Sequence, residues 1–177
     1  LTRQITQGEV DKCYYAVVKV TDRKGMENVQ KVLGDRTVIT LENYLLKDSR
    51  TNMSRVVPEG TDGAKKAVLE YQVLGIETGE ELALLRVKLH TGRHHQIRVQ
   101  LSEAGMPILN DTKYGTTPDE ENIKDTLRAV RDEALALCSY RLVFSHPVTR
   151  KKLTFEVIPK GKSFALFSED FGKKDNI

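Results

Sequence analysis

With 177 residues, 39% of them hydrophobic, and a net charge of +3, the chain has material for one respectable core and too little charge to argue for nucleic acid by itself. No apolar run of the roughly 18 residues that a membrane helix needs occurs, and no charged-then-apolar leader opens the sequence, so no membrane association and a cytoplasmic location are expected. Cys13 and Cys138 lie far apart in strand-like segments and are expected as thiols, and the four histidines lack zinc-ligand spacing, so no metal is expected.

The first residue, Leu1, stands in a charged, helix-compatible stretch and reads as a truncated or processed start, with further sequence expected upstream. Val10 to Val20 is rich in β-branched and aromatic residues and predicts a strand. A polar stretch with Gly25 and Gly34 follows, then Thr37 to Leu46, apolar but of mixed period, a short strand or a helical turn. Asp48 to Asp62, with Pro58 and Gly60, reads as a surface loop. Lys65 to Ile76 and Glu81 to His90 predict a hairpin across a glycine-containing connection. In its second strand Leu85, Val87 and Leu89 alternate with Arg86, Lys88 and His90, predicting one buried and one basic face.

The period then changes. Ile97, Leu101 and Ala104 recur at helical spacing, so His94 to Ala104 predicts an amphipathic helix ended by Gly105, with His94 and His95 facing apart. Pro107 to Asn110 suits a short strand, and Pro118 to Arg131 a charged surface segment. Leu137 to Phe144 and Leu153 to Ile158 predict a last hairpin, with Leu153, Phe155 and Val157 facing inward. The whole is a strand-dominated α+β domain of antiparallel hairpins with few helices.

Charge is unevenly spread. Between Leu82 and Ser102 stand Arg86, Lys88, Arg93 and Arg98 and no acid; a second cluster comprises Arg150, Lys151, Lys152, Lys160 and Lys162. These read either as an RNA-facing surface or as solvated strand edges. The first turn of the predicted helix carries Arg93, two histidines, Gln96 and Arg98, an anion-facing start if the arginines do not merely pair with surface acids.

The block Leu89 to Gly115 resembles the late motif of the RluA-type RNA pseudouridine synthases. Thr91, Gly92, Arg93, His95, Gln96, Ile97 and Arg98 match its first part, Gly105, Pro107 and Ile108 its second, and Asp111, Tyr114 and Gly115 its third. Lys12-Cys13-Tyr14-Tyr15-Ala16 is similar to the family's tyrosine strand, and Leu142-Val143-Phe144-Ser145-His146-Pro147 to its closing motif. Leu137-Cys138-Ser139 departs from the Leu-His-Ala of many members, and the catalytic Arg-Leu-Asp motif should lie upstream of Leu1.

The resemblance implies that residues 1–177 are the C-terminal part of one catalytic domain with a mainly antiparallel mixed sheet. It implies an isomerase that turns uridine into pseudouridine in RNA, ribosomal or possibly transfer RNA, without cofactor or metal and as a monomer. By the same resemblance Arg98 would pair with the catalytic aspartate and, without it, be left searching for an anion. Tyr14 would stack on the uracil and assist proton removal, with Tyr15 pointing the other way. Ile97 would line the base pocket, with Arg93, His95 and Gln96 as phosphate or pocket-frame contacts, while Asp111, Tyr114 and Gly115 would hold a loop. This chain alone would be inactive. From other classes, a non-catalytic RNA-binding module on the same scaffold and a small-molecule anion-binding domain compete.

Overall fold

The computed structural model describes residues 1–20, 23–30, 37–77, 79, 81–115, 130 and 134–171. A short helix α1 (Thr2–Thr6) leads into β1 (Asp11–Lys19), helix α2 (Arg23–Gln30), and the strands β2 (Ile39–Asp48), β3 (Met53–Val57), β4 (Lys65–Glu77) and β5 (Leu82–Leu89). Helix α3 (Gln96–Glu103), strands β6 (Leu137–Ser145) and β7 (Lys152–Glu156) and a short helix α4 (Lys162–Ala165) complete the order. The strands form one sheet in the order β3-β2-β4-β5-β1-β6-β7. Every pairing between them is antiparallel, so the expected α+β class with a mainly antiparallel sheet and few helices holds.

β1 and β5 form the centre because their β-branched and aliphatic side chains suit a pleated sheet covered on both faces. Ala16, Val17, Val18, Leu82, Ala83, Leu84, Leu85 and Val87 all have zero exposure, so the simple alternation predicted for β5 is overridden. Arg86 is the clearest departure. It is 1% exposed, and its Nη1 donates to Gln72 Oε1 of β4 at 3.4 Å, so the predicted basic face of β5 is buried at this position.

Register fixes which side chains share a face, since antiparallel cross-strand partners point the same way. Tyr14 is opposite Val87, Val87 opposite Tyr71, and Tyr71 opposite Ile39. The alternate positions Leu69, Ala67, Asn43 and Leu45 belong to that same face, and α3 packs on it: Val99 clusters with Leu45 and Ala67, and Gln100 Nε2 donates to Asn43 Oδ1 at 2.8 Å. The opposite face carries Tyr15, which stacks on Tyr140 at 3.8 Å and meets the edge of Phe171 at 5.1 Å. Tyr14 and Tyr15 therefore point to opposite faces, as strand alternation requires.

Three other expectations are corrected, and one stretch with no element assigned, that of Gly25, gains a helix. The stretch 48–62 contains β3, paired with β2 through a turn whose Asn52 takes a left-handed φ of 52°; turn chemistry hid the short strand. The stretch holding Gly25 is helical, and α2 closes the far end of α3, where Asn28 Nδ2 donates to the Ala104 carbonyl at 3.0 Å. Phe155 and Val157 are 55% and 56% exposed rather than inward, because β7 is the outermost strand and no described helix covers it. Helix α3 starts at Gln96, two residues later than predicted, for a reason given below.

The strand expected near Pro107 is a single bridge, Val18 to Ile108, which extends the pairing of β1 beyond β6. The segment predicted over 118–131 lies outside the described residues apart from Val130, as does Gly34. Both cysteines are free. Among the described residues no helix is long and apolar enough to cross a membrane.

Candidate functional site

The turn between β5 and α3 is built by its own polar side chains. Gln96 is 3% exposed, and its Oε1 accepts from the Arg93 backbone N–H at 2.9 Å and from the Thr91 hydroxyl at 2.8 Å. Its Nε2 donates to the Val68 carbonyl of β4 at 3.1 Å, so the amide pins the turn to the sheet. His95 then takes the left-handed conformation (φ 52°, ψ 25°) at the N-cap of α3, a shape that costs a non-glycine residue free energy and ends any helix upstream of it. The same kink brings the rings of His94 and His95 together at 3.8 Å, where helical geometry predicted them apart.

Arg98, on the first turn of α3, finds its anion inside the chain. Asp111, whose side chain is fully buried, accepts from Arg98 Nε at 2.8 Å and from Nη2 at 2.6 Å, a bidentate fork. The expectation of an arginine left without an anion is thus overturned. Asp111 Oδ1 also accepts the backbone N–H groups of Lys113 and Tyr114 at 2.9 and 3.0 Å, which folds residues 111–115 into a tight loop. Burial pushes the Asp111 carboxyl up, but the Arg98 hydrogen bonds, the two backbone donors and the guanidinium charge outweigh it and hold the pKa below the usual carboxylate range. Arg98 is correspondingly raised, chiefly by its hydrogen bonds to Asp111.

A guanidinium has five N–H donors. Arg98 uses three of them among the described residues, the third through Nη1 to His95 Nε2 at 3.2 Å, which leaves two. Because Arg can only donate, His95 Nε2 must be the unprotonated nitrogen and Nδ1 carries the hydrogen, facing the Tyr114 hydroxyl oxygen at 3.0 Å. Burial first, then the charge of Arg98, hold His95 below the ordinary histidine range and keep this neutral tautomer. The Tyr114 oxygen also accepts the Ser54 backbone N–H of β3 at 2.7 Å, its ring lies 5.0 Å under the Arg98 guanidinium, and Ser54 Oγ donates to the His94 carbonyl at 3.0 Å. One network therefore ties β3, the turn before α3, α3 and the 111–115 loop together.

The network leaves little room. A Cβ on Gly115 would lie 2.4 Å from the Asp111 carbonyl oxygen, nearer than such atoms approach. Gly115→Ala is expected to shift the loop and lower stability by about 1–3 kcal/mol, read as a lower urea midpoint at unchanged m-value.

The six residues singled out from sequence thus have distinct placements. Arg98 and His95 touch; Arg93 and Gln96 share the turn; Ile97 is 4% exposed and belongs to the main core. Tyr14 is half-buried on the α3-bearing face, packs against that core, and among the described residues its hydroxyl has no hydrogen-bond partner. Sequence reading missed Ser54, which sits in the stretch read as loop and carries no motif. It named Asp111 only as a loop residue, though the motif itself placed an acid thirteen positions after Arg98.

The model of a family described as "RNA pseudouridylate synthase" matches residues 1–103. The chain is 29% identical over 157 residues to "Uncharacterized RNA pseudouridine synthase" of Aquifex aeolicus, covering 89% of this chain and 44% of that protein. It is 34% identical to "Ribosomal large subunit pseudouridine synthase D" of Vibrio cholerae, covering 88% of this chain and 43% of that protein. The chain therefore spans less than half the length of these relatives. Among solved structures, "Human RNA Pseudouridylate Synthase Domain Containing 4" superposes with a TM-score of 0.68 at 20% identity, over 93% of this chain and 64% of that one, a likeness of fold.

Proposed function

The chain belongs to the RNA pseudouridylate synthase family, and from that premise we propose that it forms the C-terminal part of a catalytic domain converting uridine to pseudouridine in RNA. The reaction breaks the bond from ribose to the base nitrogen, turns the base and rejoins it through carbon. It requires a carboxylate beside the sugar and a base withdrawn from its stack, and flipping costs a few kcal/mol that contacts to the RNA must offset. The resemblance assigns that carboxylate to an Arg-Leu-Asp motif, which residues 1–177 do not contain.

The observation that carries the reading is the family match over residues 1–103, and two unused groups support it: a half-buried Tyr14 whose hydroxyl has no partner among the described residues, and an Arg98 with two donors to spare. Arg98 keeps its fork on Asp111 and offers Nη1, now facing the neutral His95 nitrogen, to the catalytic carboxylate. Tyr14 stacks on the uracil and assists proton removal from carbon 5. Ile97 packs behind the base pocket, Gln96 and His95 frame it through the network above, and Arg93 meets the RNA backbone.

Large-subunit ribosomal RNA is the proposed substrate, because the Vibrio cholerae relative is named for acting there. A monomer in the cytoplasm is the proposed setting. Tritium release from RNA labelled at carbon 5 of uridine is expected with the full-length protein and not with the 177-residue chain. Turnover by the short chain would show the carboxylate to be misassigned, and no release by either would end the proposal.

A further inference from the structure

We propose that the cleft bounded by Lys47, Lys65, Arg93 and His94 seats a backbone phosphodiester of the bound RNA, on a nucleotide flanking the target. The inference rests on the RNA reading above and adds a binding site away from the reacting base. The cleft has a volume of about 270 Å³ and lies between the β2–β3 hairpin, the start of β4 and the turn before α3. Three cations and a histidine line it, and among the described residues no acidic side chain does.

The charges are not spent elsewhere. Among the described residues neither Lys47 nor Lys65 has an acidic partner, whereas the next residue, Lys66, pairs with Glu42 at 2.6 Å on the opposite face of the sheet. Arg93 is held ready: its Nε donates to the Lys66 carbonyl at 2.7 Å and its backbone N–H to Gln96, which leaves its terminal nitrogens unengaged among the described residues. His94 Nδ1 donates to Ser54 Oγ at 3.0 Å, because that hydroxyl's own hydrogen goes to the His94 carbonyl, so the donors that face a phosphate here are those of Lys47, Lys65 and Arg93. Like charges gathered unpaired around one concavity repel each other until a polyanion fills it, and a phosphodiester gives the Arg and Lys donors separate oxygens.

Position says which phosphate. Leu45, Lys47 and Lys65 stand on the α3-bearing face, the face of Tyr14, and β2 is three strand spacings from β1 in the sheet. At ~4.8 Å per spacing β2 lies about 14 Å across the sheet from the Tyr14 strand, and Lys65 stands beyond Tyr71 by roughly 20 Å along β4 at ~3.3 Å per residue, too far for the nucleotide being isomerised and suited to one further along the strand.

The test is binding of a short fluorescent oligouridylate to the intact protein across a salt series, for wild type, Lys47→Gln, Lys65→Gln and, as a control on the opposite face, Lys66→Gln. Loss of one phosphate contact from a single strand lowers the slope of log K against log salt by about 0.7. Lys47→Gln and Lys65→Gln are each expected to bind several-fold more weakly at low salt with a shallower slope, and Lys66→Gln to match wild type. Wild-type slope and affinity in both cleft variants, or an equal loss in Lys66→Gln, overturns the cleft and leaves the RNA reading standing. Failure of the wild type to bind RNA at all overturns both.

Discussion

Asp111→Ala is expected to lower the melting temperature by roughly 6–12 °C. The substitution removes the fork that Asp111 makes to Arg98 and strands a guanidinium that is only 17% exposed in its side chain. Breaking a buried pair from one side costs about 3–5 kcal/mol, and the residual exposure of Arg98 sets the lower end, about 3 kcal/mol. A chain of this size loses about 2–4 °C per kcal/mol, which gives the range stated. Thermal unfolding by circular dichroism reads it, and a melting temperature within 2 °C of wild type would show that Asp111 does not hold the loop.

The pH dependence has a definite sign. Because the folded-state pKa of Asp111 is depressed below its unfolded value of about 3.9, its stabilisation is fully present above that value and is lost as pH falls through the depressed one. The stability gap between wild type and Asp111→Ala is therefore constant from neutral pH down to about pH 5 and narrows below pH 4. A gap that stayed constant into strong acid would mean the effect was not electrostatic.

Tyr14→Phe in the full-length protein is expected to reduce kcat by about 100-fold or more while leaving RNA affinity within about twofold. The ring that stacks on the base is kept and only the hydroxyl is lost, so the change separates chemistry from binding. Stability should not move, because that hydroxyl has no hydrogen-bond partner among the described residues. Single-turnover tritium release and a parallel unfolding curve distinguish the cases. Unchanged kcat, or loss of kcat only in step with loss of stability, would reduce Tyr14 to a packing residue.

Local pattern made β1, β4, β5, β6 and β7 legible, since β-branched and aromatic runs bounded by turn residues announce strands wherever they end up. Two errors had one origin. Alternation alone misplaces Arg86 and Phe155, because Arg86 lies in a central strand covered on both faces and Phe155 in an edge strand that no described helix covers. Alternation reports which residues share a side of a strand; strand order in the sheet decides whether that side is covered. Helix α3 was found by period, but its start was displaced by the left-handed His95, whose conformation is held by Gln96, Arg98 and Tyr114 rather than by any preference of its own.

By itself the sequence determined five of the seven strands, helix α3 and the family, because these rest on short-range propensity and on a motif confined to Thr91–Gly115. Only the folded chain decided the partner of Arg98 and the membership of the cleft. The arginine closes on an acid thirteen residues away and on a histidine three away, while Lys47, Lys65 and Arg93 meet only because the sheet places β2, β4 and the turn before α3 side by side. Charge attraction and desolvation act through space, and which ions come within reach is set by topology and register, which no local pattern encodes.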